Sequence, residues 1–99
     1  MEKIKVLFRK DKKNGYITAF FPEDTANYGM INCYYRDGRY DAGWTEASME
    51  YYWGCIKATE EEYADLFSEL EKMFADDDCI LDVKKRLYYK DLLNSWYRR

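Results

Sequence analysis

Between Thr59 and Phe74 the apolar residues Tyr63, Leu66, Phe67, Leu70, Met73 and Phe74 fall at i, i+3, i+4, i+7, i+10 and i+11, one stripe along an α-helix. Thr59 occupies an N-cap position. Glu62, three residues on, can reach back to the cap's N–H, which completes a capping box. Glu60, Glu61 and Glu62 place negative charge in the first turn, where the helix dipole favours it. A stripe of this length has to lie on an apolar surface, so the rest of the chain is read for that surface.

Residues 3–9 alternate, with Ile4, Val6 and Phe8 on one side and Lys3, Lys5 and Arg9 on the other, the period of a half-buried strand; Leu7 breaks the polar side. The charged run 10–15 ends in Asn14-Gly15, which tolerates positive φ and predicts a hairpin loop. A second strand places Ile17, Ala19 and Phe21 opposite Tyr16, Thr18 and Phe20, until Pro22 withdraws a donor. Met30 to Tyr35 predicts a third strand, and Cys79 to Leu87 a fourth at the sheet edge, with Leu81 and Val83 inward and its charges turned out. Residues 39–47 lack a period and are read as a surface loop. In 48–58 the spacing of Met49, Tyr52, Trp53 and Ile56 suits a short helix, whereas Tyr51, Trp53 and Cys55 alternate as a strand would; the helix is preferred.

The expected architecture is α+β, a three- to four-stranded, mostly antiparallel sheet covered by the helix at 60–74, with a short helix near 48–58 and a C-terminal helix. Ninety-nine residues suffice for one core, so 1–99 is read as a single domain and 88–99 as a candidate helical extension. In that tail Tyr89, Leu92, Leu93 and Trp96 form a narrow stripe that needs cover. The protein's own sheet, a second copy in a homodimer, or a foreign partner could supply it.

The chain holds no histidine, which excludes Ser-His and Cys-His nucleophile pairs. Cys33, Cys55 and Cys79 have neither the spacing of a zinc site nor the even number of a disulfide framework, and read as reduced thiols. Cys55, beside Gly54, is the one candidate nucleophile. Asp76, Asp77 and Asp78 lack the ligand spacing of an EF-hand and read as a solvated turn. Asp65 and Glu69, at i and i+4, fall on the exposed side of the helix, away from any pocket that would tune their acidity. No metal, no cofactor and no catalytic residue are assigned. No segment approaches the roughly 18 apolar residues of a membrane span. Charges run through 2–5, where a signal peptide needs apolar residues, so a cytoplasmic protein without membrane contact is expected.

Charge is sorted along the chain. Nine carboxylates stand against Lys72 between Glu60 and Asp78, and six bases against Asp91 from Lys84 onward. The bases of the first hairpin, Lys12 and Lys13 among them, together with Lys84 and Lys85 are candidates for binding a nucleic-acid backbone, with Tyr16, Tyr34 or Tyr35 as stacking platforms. A pI near 5.0 weighs against that use. The other notable feature is the aromatic content, 19%, with eleven tyrosines. Surface Tyr and Trp supply interface anchors, and Tyr35, Tyr40, Trp44, Leu92 and Trp96 are the candidate protein-binding residues.

The run Val6-Leu7-Phe8-Arg9-Lys10, then Gly15, then Ile17 to Glu23, and finally Thr59 to Leu66 with Glu69-Leu70 resembles a set of small uncharacterised proteins of bacteriophages and mobile elements, especially of gut bacteria. The resemblance covers most of the chain to about residue 87 and implies a shared fold and a mobile-element setting, without an activity. Set members often carry prolines where Lys57 and Glu60 stand here, and a Gly-Gln-His-Gly-like segment where this chain has Arg39 to Trp44. Any role of that histidine is therefore absent, and Tyr40 and Trp44 replace its chemistry with aromatic surface. The expected function is a non-catalytic interaction module, an inhibitor or accessory factor carried by a phage and directed at a host protein. The alternative is a small nucleic-acid-binding protein using a basic hairpin and sheet face.

Overall fold

The computed structural model describes residues 2–37 and 41–97. Among the described residues six strands and three helices follow in the order β1 (Glu2–Lys10), β2 (Ile17–Phe21), β3 (Met30–Asp37), β4 (Asp41–Ser48), α1 (Met49–Gly54), β5 (Ile56–Lys57), α2 (Glu60–Ala75), β6 (Cys79–Val83) and α3 (Tyr89–Tyr97). The fold is α+β, with more strands than the sequence pattern suggests. In the sheet β4, β3, β2 and β1 lie side by side and antiparallel. The outer edge of β1 is shared: β6 runs parallel to residues 2–6, and β5 pairs antiparallel with Arg9 and Lys10.

Both faces of this sheet are covered, which explains Leu7. On one face Val6, Phe8, Ala19, Phe21 and Tyr34 pack with Leu66 and Leu70 of α2. On the other, Leu7, Phe20, Ile31 and Cys33 pack beneath Met49 and Tyr52 of α1 and Leu92 and Trp96 of α3. Leu7 is therefore fully buried, and the side of β1 that reads as polar is the floor of a second core. Lys5 and Arg9 flank that floor because each finds a partner at its margin. Lys5 Nζ lies 3.1 Å from Asp91 Oδ2 on α3.

Arg9 does something less expected. Val6 O accepts the N–H of Lys84, and strand alternation puts Phe8 O on the same edge, in the gap where β6 has ended and β5 has not begun. The Arg9 guanidinium fills that gap, donating to Phe8 O and to Lys85 O at 2.9 Å each, while lying over the Tyr52 ring at 5.5 Å.

The α2 capping box forms as the sequence predicts: Thr59 Oγ1 accepts from Glu62 N, and Glu62 Oε1 accepts from Thr59 N. Lys10 also pairs with Glu62 and so ties β1 to the helix start. Tyr63 stacks on Phe8 at 4.3 Å. Asp65 is exposed but Glu69 is half-buried, a departure from the fully exposed pair expected. At the far end Asp78, at φ 57, takes the left-handed conformation that turns the chain into β6.

Two expectations need correction, and the short helix expected near 48–58 is present within narrower bounds. Residues 41–48 are a strand, because β3 offers a complete ladder partner from Met30↔Ser48 to Asp37↔Asp41 and tertiary pairing overrides the weak local preference of Asp41 and Gly43. The 48–58 segment is a helix only to Gly54, capped by Ser48, after which Ile56 and Lys57 pair with β1. Finally, Leu92 and Trp96 are buried, 2% and 6% exposed, against the protein's own sheet and are not open to a partner. Trp96 Nε1 donates to Met30 O, Ser95 Oγ to Asp24 O, and Ala26 N to Ser95 O. Among the described residues no helix is long and apolar enough to cross a membrane.

Candidate interaction surface

Helices α1 and α3 do not reach the whole of their face of the sheet. The part left open, beside the β1–β2 turn, is a cleft of about 260 Å³ lined by Tyr16, Thr18, Tyr35, Thr45 and Tyr51, with Cys33 at its floor. Its walls come from the strand alternation: Tyr16 and Thr18 share the β2 face with Phe20, Tyr35 and Cys33 share that of β3, and Thr45 that of β4. Gly43 allows Tyr35 to lie across the next strand, its ring 3.7 Å from where a Cβ would stand.

Tyr51 is held in place. Its hydroxyl donates to Asp11 Oδ2 at 2.9 Å, and burial with the Asp11 hydrogen bond pushes the phenol well above its ordinary value. Asp11 also accepts from the N–H groups of Lys13 and Asn14, and these bonds, the one from Lys13 first, hold its carboxyl below the usual range. The turn, α1 and the cleft wall are thus one hydrogen-bonded unit. Burial pushes the Cys33 thiol up to about 11, and it raises Cys55 as well.

Trp44 stands on the opposite face of the sheet. It packs on Phe21 at 5.1 Å, Tyr34 at 5.0 Å and Phe74 at 6.0 Å, and remains half exposed. Tyr34, read as a stacking platform, is buried in this cluster instead; Tyr16 and Tyr35 do reach a common surface. Tyr40 lies outside the described residues. Tyr51 was missed, although its place just off the Met49, Tyr52, Ile56 stripe puts it at the margin of the buried helix face.

The basic candidates fall into two places along the β1 edge. Lys12 and Lys13 border a hollow of about 340 Å³ with Glu50 and Tyr51. Lys84 and Lys85 line a notch of about 480 Å³ with Lys57, Glu60 and Tyr63, where the chain passes between β5 and β6. Many of the neighbouring bases are already engaged: Lys5 with Asp91, Arg9 with two carbonyls, Lys10 with Glu62 and Lys84 with Asp82. Among the described residues no three His, Cys, Asp or Glu side chains are grouped to hold a metal ion.

The arrangement defines a class: an α+β protein whose sheet is helix-covered on both faces and which presents a tyrosine-rich cleft where that cover ends. No family model matches the chain, and neither does any curated protein or solved structure.

Proposed function

We propose that this protein is a non-catalytic interaction module that acts in the cytoplasm as an inhibitor or accessory factor of mobile-element origin, holding a host protein through its tyrosine cleft. The observation that carries this reading is the convergence of Tyr16 from the β1–β2 turn, Tyr35 from β3 and Tyr51 from α1 on one open concavity. Tyrosine brings large contact area at low entropic cost and a hydroxyl that hydrogen-bonds in place, while the threonines and Asn14 around it supply adaptable polar contacts. Tyr51 is locked by Asp11 before any partner arrives, which lowers the cost of ordering it on binding. The mobile-element setting rests on the resemblance of residues 6–23 and 59–70 alone.

The test is affinity capture from host lysate with the parent chain and with Tyr16→Ala/Tyr35→Ala. A protein retained by the first and lost by the second supports the reading, provided both chains share the same melting curve. Equal capture by both refutes the role of the cleft.

Nucleic-acid binding is the second reading, favoured by the single observation that Lys57, Lys84 and Lys85 border one notch. It ranks lower because Lys84 itself and three neighbouring bases, Lys5, Arg9 and Lys10, are engaged within the fold. A gel-shift series decides it: binding that weakens steeply with salt and vanishes on charge reversal of Lys12, Lys13, Lys84 and Lys85 would raise it to first place.

A further inference from the structure

The two edges of the sheet are treated differently. On the β1 side the edge is broken into a two-residue strand and a five-residue strand, with Asp82, Lys84 and Arg9 placed along it. These are the devices that discourage further pairing. On the other side β4 runs for eight residues with an uninterrupted register to β3, and it contains no lysine, no proline and no bulge. Among the described residues nothing pairs with its outer edge.

We propose that β4 receives an extended segment of a partner polypeptide by strand addition, the segment alternating apolar residues with Lys or Arg. This rests on the interaction reading above and specifies how the partner is held. The two faces of β4 set the alternation. Thr45 and Ala47 look onto the tyrosine cleft, so every second side chain of an added strand reaches Tyr35 and its neighbours. Trp44 and Glu46 belong to the other face, where Asp24 joins them around a hollow of about 350 Å³; among the described residues no base borders it. The chain has no Lys or Arg from Asp41 to Ile56. A cationic side chain there meets the Trp44 ring, the Asp24 carboxylate and the charge of Glu46, whose two oxygens also accept from the N–H and Nδ2 of Asn27. The same charge pattern disfavours a second copy, which would bring acids to acids.

The probe is a synthetic peptide of β4's own length alternating lysine and valine, titrated into the full chain and followed by amide and indole NMR shifts. The expected result is a set of shifts confined to β4, β3 and the Trp44 indole, weakening with salt, with a glutamate–valine counterpart bound at least about tenfold less tightly. Of two peptides N-methylated on alternate nitrogens, one loses binding and the other keeps it, since only one set faces β4. Neighbouring N–H groups of β4 likewise face opposite edges, so one of Thr45→Pro and Glu46→Pro keeps the fold and abolishes binding. Shifts elsewhere only, no shifts up to millimolar peptide, or equal binding of both methylated forms would overturn the proposal. So would a dimer seen in sedimentation that the folded proline variant dissolves. A host protein lost by Tyr16→Ala/Tyr35→Ala but kept by both proline variants would overturn strand addition while leaving the interaction reading intact.

Discussion

Trp96 Nε1 donates a hydrogen bond to Met30 O at 2.7 Å, and this contact joins the last helix to the start of β3, across most of the chain's length. The indole is 6% exposed and sits among Leu92, Ile31 and Met30, with Tyr28 packed against it at 5.1 Å. The tail is therefore part of the core. We expect Trp96→Ala to destabilise the protein by about 3–5 kcal/mol and Trp96→Phe by about 1–2 kcal/mol, the latter mainly from leaving Met30 O unsatisfied. Urea denaturation checks both values. Truncation after Leu87 removes Leu92, Ser95 and Trp96 together and should abolish cooperative unfolding; a truncated chain that melts like the parent would show the docking to be incidental.

Arg9 stands in for a missing stretch of strand. Replacement by lysine keeps the charge but offers a single point donor where a planar fork now reaches two carbonyls. Arg9→Lys should cost about 1–3 kcal/mol, and Arg9→Met somewhat more, with amide exchange accelerated at residues 84–86. Unchanged exchange there would contradict the bridging role.

At the start of α2, Thr59→Ala should cost about 1 kcal/mol, because it deprives the Glu62 N–H of its acceptor. Glu62 makes the same element pH-dependent. Its hydrogen bond from Lys10, and after it that from the Thr59 N–H, lower its carboxyl from 4.5 to about 2. The folded chain thus favours the charged form. The resulting stability is whole above the ordinary carboxylate value and drains away as pH falls through 4.5 toward about 2. Melting curves of the parent and Glu62→Gln should differ at neutral pH and converge near pH 2; a gap that persists there would contradict this assignment.

Leu70 is fully buried under α2, between that helix and the β1–β2 face. Leu70→Ala should cost about 2–5 kcal/mol, depending on how far the surrounding side chains close the cavity. A calorimetric measurement settles the figure, and a loss below about 1 kcal/mol would mean that the helix seats loosely.

Much of this architecture is legible in the residues. The stripe of α2, its capping box, the first hairpin and the inward Leu81 and Val83 are set by periods and caps that local sequence carries by itself. Leu7 was legible but undervalued: an apolar residue on the polar side of an alternating strand marks cover on the second face, and the tail stripe of Leu92 and Trp96 is what covers it. β4 was not legible, since a half-exposed edge strand needs no apolar alternation and Gly43 answers to the Tyr35 ring above it, a relation between strands. β5 is fixed only by its pairing with Arg9 and Lys10. Of the candidate site, Tyr35 could be found from composition. Tyr51 could not, because its role depends on Asp11, forty residues away.

The most direct test of the interaction reading is site-specific photocrosslinking in host cells, with a benzophenone amino acid placed at Tyr35 in one chain and at Lys85 in another. The account predicts one dominant protein adduct from position 35 and none of comparable yield from position 85. Adducts to nucleic acid from position 85, with nothing captured at position 35, would contradict it.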